Sequence, residues 1–175
     1  MSSLSKRSIA IGLLIAVVAA GASAAVTAAA VSDSDSDSGP ASTIEYLNAD
    51  PATTSPFSDV VAVGSMLHLS GNLGLDAAGT IVPGGLKAET TQMMANLKAA
   101  LERNGSSLDR VVGCEVMLST AGAEMGKAFI DARNAFNEVY STYWKQGRFP
   151  ARHAFGVTGL YLGALVEIAC DAVRA

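Results

Sequence analysis

The sequence has few residues of the kinds that nucleic-acid binding, metal binding and thiol chemistry require. Only 16% of its 175 residues are charged, no basic patch is visible, and the formal net charge is −4. Nucleic-acid binding needs Lys and Arg side chains that neutralise phosphates, so we expect no nucleic-acid partner. The two cysteines form no CxxC pair and no cluster with histidine, so neither a metal site nor a redox centre is indicated.

Hydrophobic residues, in contrast, make up 50% of the chain. This content and this length fit one globular domain with a proper core, and not two domains. Cys114 and Cys170 lie far apart in the sequence, each inside an apolar run that is typical of a strand. We interpret them as buried free thiols, and a disulfide is the alternative if the domain is exported.

Residues 1–24 have the pattern of a secretory signal peptide. The basic pair Lys6–Arg7 precedes an uncharged apolar run, Ile9–Val18, and the small residues Ala22–Ala24 then offer a cleavage site. An uncleaved membrane anchor is the alternative, because residues 8–31 carry no charge. The second half of that run is mainly weakly hydrophobic, so we favour cleavage. The mature protein is then expected to be periplasmic or secreted, without stable membrane association.

A low-complexity stretch separates this segment from the rest of the chain. Ser32–Thr43 alternates Asp with Ser and has almost no apolar residue to bury. We therefore predict a disordered acidic linker over residues 25–42. Calcium binding by the Asp-Ser repeat is a weaker alternative, since nothing fixes the ligands in a loop. The folded domain is predicted over residues 43–175.

From Ile44 onward the hydrophobic pattern alternates between strand and helix periods, and Gly64-Ser65 is placed as a hairpin turn. The predicted elements are strands 60–63 and 66–70, helix 86–103, strand 111–118, helix 124–145, and strands 152–157 and 164–173. We expect the last two strands to pair with each other around a turn at Thr158–Leu160. The order ββ-α-β-α-ββ predicts an α+β fold, with two helices against one mixed sheet.

The last strand has an unusual second face. Val166 and Ile168 alternate with Leu165, Glu167 and Ala169, so the two sets point to opposite sides of the sheet. If the helices cover the first set, the second face is apolar but not covered by the protomer's own helices. An uncovered apolar face of this kind indicates a partner subunit.

Arg152 and Glu167 are the candidate functional residues. The guanidinium of an arginine can hold a carboxylate with two parallel hydrogen bonds, which lysine cannot do. A glutamate in an apolar strand can accept a proton from water. Together they fit a hydrolytic site for a small anionic substrate. The alternative is a structural ion pair between neighbouring strands.

The domain also resembles the RidA (YjgF) family of reactive intermediate deaminases, over about Ser55–Val173. The resemblance lies in the order and spacing of several short motifs. They are LSGNLG at 69–74, Gln92 with NLKA at 96–99, GSSLDRVV at 105–112, Asn134 and Glu138 in the second helix, FPAR at 149–152 and VEI at 166–168.

This resemblance implies a chorismate-mutase-like protomer that assembles as a homotrimer with ligand clefts between subunits. It implies hydrolysis of reactive 2-imino or enamine acids, such as 2-iminobutanoate and 2-iminopropanoate, to 2-oxo acids and ammonia, without metal or organic cofactor. Arg152 matches the arginine that holds the substrate carboxylate, and Glu167 matches the acid that activates water. Ser70 and Asn134 match residues that line the pocket.

Three positions depart from the family pattern, and one of them is Ala154, which stands where the family usually has a cysteine. Phe57 follows Pro56 where the family commonly has Tyr, so a hydroxyl is lost from the substrate pocket. His153 stands directly after the arginine, where the family has a small residue. It is either a new general acid in the pocket or, as we prefer, a strand residue that faces a neighbouring subunit.

Two other functions fit the same residues. A non-catalytic trimer could bind small carboxylates through Arg152, with Glu167 as a hydrogen-bond partner. An endoribonuclease activity, sometimes attributed to the family, is disfavoured by the acidic charge, because RNA contact requires phosphate neutralisation.

Overall fold

The structure is a computed structural model that describes residues 43–120 and 125–175. The predicted signal peptide, the whole predicted linker, and the first residue predicted for the second helix lie outside the described residues. Within the described part of the chain, none of the helices is both long and apolar enough to span a bilayer.

Seven strands and two α-helices make up the described domain. In chain order they are β1 (Ile44–Leu47), β2 (Val60–Val63), β3 (Met66–Leu69), β4 (Asn72–Leu73), α1 (Leu86–Arg103), β5 (Val111–Ser119), α2 (Met125–Tyr140), β6 (Ala151–Val157) and β7 (Val166–Val173). Short 3-10 turns occupy Leu108–Arg110, Ser141–Tyr143 and Tyr161–Gly163. The predicted α+β class with two helices against a mixed sheet is confirmed.

The strand order is β1-β2-β3-β7-β5-β6, and β4 pairs with β7 beyond the end of β3. All neighbours are antiparallel except β5 and β6. The crossover through α2 places β6 parallel to β5, as a β-α-β connection requires. The predicted pairing of the last two strands is therefore wrong: β5 lies between β6 and β7.

Both helices cover one face of this sheet. Met93, Met94 and Leu97 of α1 are fully buried, as is Phe136 of α2. They pack into one cluster with alternate residues of the strands, including Ile168 of β7. These positions recur at helical spacing in α1 and α2 and at every second position in the strands, which is why the sequence places them in the core.

The opposite face of the sheet, which we call the open face, carries no helix. Phe155 and Leu165 lie on this face and expose 49% and 36% of their surface. Glu167 of β7 lies on this face too, opposite Met117 of β5. Exposed apolar side chains at the centre and edge of a sheet support the expectation that a second subunit covers this face.

Cys114 and Cys170 are joined by a disulfide. They are directly opposite each other in the β5·β7 pair, with Cα atoms 4.1 Å apart, and both lie on the helix-covered face. The interpretation of two free thiols is therefore wrong. Periodicity placed each cysteine correctly inside a strand, but it could not show that the two strands are neighbours in this register.

We expect the double substitution of Cys114 and Cys170 to alanine to lower the free energy of unfolding by about 4 kcal/mol, since the bond closes a loop across 56 residues. Urea titration of the oxidised protein and the double variant measures this difference. As a control, the unfolded protein should react with a thiol-alkylating reagent only after reduction. Labelling of both cysteines without reductant would contradict the disulfide.

Candidate active site

Arg152 lies on the helix-covered side of the edge strand β6, above two aromatic rings of α2. Its Cζ atom is 4.8 Å from the ring centroid of Tyr140 and 5.3 Å from that of Phe136. The two rings stack on each other at 5.0 Å and are buried. A cation over aromatic faces is stabilised by the ring quadrupoles, so the guanidinium has a fixed place.

This arginine forms one wall of a cavity at the end of α2, which we call the arginine cavity. Asn134, Asn137, Glu138 and Ser141 line it from the helix side. These four polar residues follow helical spacing and so form one stripe. No carboxylate pairs with Arg152 within residues 43–120 and 125–175, and Glu138 pairs instead with Lys87. The guanidinium donors therefore remain available for a carboxylate ligand.

Tyr140 lies deeper in this cavity wall. Burial raises the pKa of Tyr140 to about 12, and the charge of Arg152 opposes this shift. Its hydroxyl is buried without a hydrogen-bond partner among the described residues. Tyr140 is therefore neutral at physiological pH, and it supports the guanidinium through its ring face and not through an anionic oxygen.

Glu167 lies in a second cavity of about 630 Å³, which we call the glutamate cavity. Phe57, Ser70, Gly71 and Tyr161 line it together with the carboxyl group. The volume is in the range of small-molecule sites. Burial raises the pKa of Glu167 above its usual value. A carboxyl group shifted in this direction is a better proton acceptor near neutral pH than an ordinary glutamate.

Gly71 packs directly against the Glu167 carboxyl group. A Cβ atom at position 71 would lie 1.8 Å from Oε1 of Glu167, so any side chain there would push the carboxyl group out of its present place. The neighbouring Ser70 donates its hydroxyl hydrogen to the carbonyl of Ser58 at 2.7 Å. That proton is thus already used, and Ser70 can offer the cavity only acceptor lone pairs.

Polar side chains of α1 hold the surrounding backbone in place. Asn96 donates to the carbonyls of Leu73 and Leu75, both at 2.9 Å. The buried carboxylate of Glu89 accepts a hydrogen bond of 2.7 Å from the backbone N–H of Leu165, two residues before Glu167. Both flanks of the glutamate cavity are therefore anchored to the same helix.

The two cavities lie on opposite faces of the sheet. Arg152 is opposite Cys114 on the helix-covered face, whereas Glu167 is opposite Met117 on the open face. Two strand spacings, roughly 10 Å, also separate β6 from β7. The expectation of a structural ion pair on neighbouring strands is therefore wrong. One protomer holds each half of the predicted site but cannot bring the two halves to one substrate.

The other predicted site residues divide between these cavities, with one exception. Ser70 and Phe57 line the glutamate cavity, and Asn134 lines the arginine cavity. His153 lines neither, because strand alternation turns it to the open face, where it stands opposite Glu115. Its place agrees with the preferred interpretation of a strand residue on the face expected to meet a subunit.

Comparisons with known proteins agree with this architecture. A family model described as Endoribonuclease L-PSP matches residues 47–174. The 2-iminobutanoate/2-iminopropanoate deaminase of the goat Capra hircus is 38% identical over 125 residues, covering 71% of this chain and 84% of the goat protein. The human protein of the same name is 33% identical with the same coverage. A crystal structure of RidA from the Antarctic bacterium Psychrobacter sp. PAMC 21119 has a TM-score of 0.60 and 31% identity, covering 70% of this chain and 92% of that one.

The chain belongs to the RidA (YjgF) family. In this RidA-family domain the structure adds site residues that periodicity did not identify. Helical spacing places Phe136 and Tyr140 on the apolar face of α2 without showing that they contact Arg152, and Gly71 is identified only as part of the LSGNLG motif. Tyr161 had no sequence signal, because an aromatic residue in a turn follows no period.

If Glu167 activates water as predicted, we expect Gly71→Ala to lower turnover about 10- to 100-fold, because the new methyl group displaces the Glu167 carboxyl from its place and small misplacements of such a group are costly. Steady-state kinetics and thermal unfolding would be measured together. Gly126→Ala is the matched control, since a Cβ there meets open space. Equal activity of both variants would show that the Gly71 contact does not position Glu167.

Proposed function

We propose that this protein hydrolyses 2-imino or enamine acids to 2-oxo acids and ammonia, in clefts that two subunits of a homotrimer form together. The observation that carries the proposal is the pair of half-sites: an arginine with unused donors in one cavity and a carboxyl group of raised pKa in another. The names of the goat and human relatives agree with this activity.

The division of the site argues for shared clefts. The arginine cavity and the glutamate cavity lie on opposite faces of one protomer, so a substrate that touches both needs two protomers. A closed ring of three identical subunits would join the arginine cavity of each to the glutamate cavity of the next. The exposed apolar residues of the open face are the surface that such an assembly would bury.

The chemistry follows from the charges. Arg152 of one subunit holds the substrate carboxylate with two hydrogen bonds. Glu167 of the neighbour accepts a proton from water as the water oxygen bonds to C2 of the protonated imine. In the resulting carbinolamine, the nitrogen takes up the proton that Glu167 carries and leaves as ammonia, while the hydroxyl passes its proton back to the Glu167 carboxylate and the C2–oxygen double bond forms. The proposed reaction uses the substrate, one water and these two side chains, with no covalent bond between substrate and protein.

We also propose that the protein acts outside the cytoplasm, in the periplasm or after secretion. The signal-peptide pattern of residues 1–24 motivates this, and the Cys114–Cys170 bond supports it, since disulfides persist in oxidising compartments. Intact-mass measurement of the protein recovered from a bacterium with an outer membrane tests the point. A full-length chain in the membrane fraction would support the anchor instead.

An amino-acid oxidase supplies imines for the test of activity. The imine produced from an amino acid decays spontaneously, and trapping with semicarbazide reports how much remains. We expect the purified protein to accelerate its loss and to yield the 2-oxo acid and ammonia. A wild type that binds 2-oxo acids by calorimetry but leaves imine decay unchanged would be the non-catalytic binding module.

A further inference from the structure

Tyr161 and Phe57 are two large rings that line the glutamate cavity and remain exposed in the protomer. Tyr161 exposes 70% of its surface and Phe57 59%. We infer that these rings form a side-chain pocket for the substrate, so that the protein prefers imino acids with aromatic or large apolar side chains. This inference rests on the proposed function and names its substrate class.

The position of the pocket follows from the three substituents of the reacting carbon, which are the carboxylate, the imine nitrogen and the substrate's own side chain. Arg152 holds the carboxylate, the small and polar imine nitrogen needs no apolar wall, and the substrate's own side chain occupies the remaining walls. The walls on the α2 side are polar, with Asn134, Asn137 and Ser141. The walls on the glutamate side include two rings and the aliphatic side chain of Leu73. An apolar side chain is therefore better accommodated on the glutamate side.

The turn that carries Tyr161 is well fixed at its ends. The N–H of Gly163 donates to the carbonyl of Leu160 at 3.1 Å, and Ala164 is buried directly after the turn. The N–H of Leu165 is held by Glu89. Tyr161 is thus an exposed ring on a defined support, and not part of a loose loop.

The same turn also contains backbone strain. Leu162 has a φ of 56° and a ψ of 17°, in the left-handed region that residues other than glycine seldom adopt. Its side chain is 55% exposed, so burial of that side chain does not offset the strain. Strain of this kind is retained at sites where a particular conformation serves binding or catalysis. Here the strained residue directly follows the ring that lines the cavity.

The test compares imines made in situ from alanine and from phenylalanine, using wild type, Tyr161→Ala and Tyr161→Phe. We expect wild type to have the higher kcat/KM for the phenylalanine-derived imine. Tyr161→Ala should lower the phenylalanine-to-alanine ratio about tenfold, because a ring contact to the substrate is lost. Tyr161→Phe keeps the ring and should keep the ratio. Phe57→Ala should lower the ratio in the same direction.

Several outcomes would overturn the inference. An unchanged ratio in Tyr161→Ala would show that the ring does not contact the substrate side chain, while the deaminase activity would still stand. If Tyr161→Phe also lowered the phenylalanine-to-alanine ratio of kcat/KM, the preference would depend on the tyrosine hydroxyl and not on the ring. If Tyr161→Ala changed the mass measured by light scattering, the ring would be an interface residue.

Binding measurements distinguish failure of the proposed enzyme activity from failure of the side-chain pocket. If wild type hydrolyses no imine, calorimetry with phenylpyruvate and pyruvate still tests the pocket. Tighter binding of phenylpyruvate, lost in Tyr161→Ala and kept in Tyr161→Phe, would support the side-chain pocket in a protein that is not an enzyme. The side-chain pocket would be overturned if phenylpyruvate and pyruvate bound equally well, or if neither acid bound.

Discussion

Replacing Arg152 with alanine is expected to abolish imine hydrolysis, and replacing it with lysine to lower kcat/KM at least about tenfold. The lysine keeps the charge but loses the planar pair of donors, and a charged hydrogen bond contributes about 1.5 kcal/mol or more. Lysine also presents a compact ammonium in place of the flat guanidinium that lies over Tyr140 and Phe136. Steady-state kinetics with the oxidase-supplied imine measures both losses.

Arg148→Lys is the matched control for this prediction. Arg148 is exposed, lies four residues earlier, and lines neither cavity. The Arg148→Lys variant should retain wild-type kinetics. Thermal unfolding should show that the Arg152 variants remain folded. If Arg152→Ala hydrolyses imines as fast as wild type, the arginine cavity is not the substrate site.

The elements that sequence periodicity placed best are those with a long, regular apolar pattern. The bounds predicted for α1, residues 86–103, are those of the structure. The hairpin turn at Gly64 was also correct, with the glycine at a φ of 59°. In each case a local rule is sufficient: a helical stripe followed by Asn104-Gly105, or a turn that needs a left-handed residue.

The errors concern which strands are neighbours. Alternation showed which face Glu167 occupies, but not that β5 separates β7 from β6. The expected hairpin of the last two strands, the ion-pair alternative and the free cysteines all depended on that lateral order. The last two strands are separated by only a few residues along the chain, and this short separation favoured a hairpin. The observed strand order is instead determined by the crossover through α2 and by the packing of both helices on one face of the sheet.

The candidate site was predictable in its residues and not in its arrangement. The family motifs identified Arg152, Glu167 and Ser70, which line cavities. Only the three-dimensional structure shows that these residues form two half-sites on opposite faces of the sheet. The role of Gly71 is likewise a matter of distance, since it is defined by its contact with a carboxyl group 96 positions along the chain.

Glu167→Gln is expected to reduce turnover strongly while leaving the calorimetric affinity for a 2-oxo acid nearly unchanged. The amide has the size of the carboxyl group but cannot accept a proton from water. In wild type, activity should decline as pH falls through the raised pKa of Glu167, that is, at a higher pH than for an ordinary glutamate. The residual activity of the variant should lack this decline. A variant with wild-type turnover would remove Glu167 from the mechanism.

The Arg152→Ala and Glu167→Gln variants together test whether subunits share the site. If Arg152→Ala and Glu167→Gln subunits are co-expressed and mix at random in trimers, about a quarter of the clefts combine an intact arginine cavity with an intact glutamate cavity. Activity should therefore return to about a quarter of wild type, well above the residual activity of Glu167→Gln alone and the absent activity of Arg152→Ala alone. A double variant carrying both substitutions, mixed with either single variant, should restore nothing, because one functional group is then absent from every subunit. Failure of the two single variants to complement each other in trimers verified to be mixed would place both halves of the site in one subunit and contradict the shared cleft.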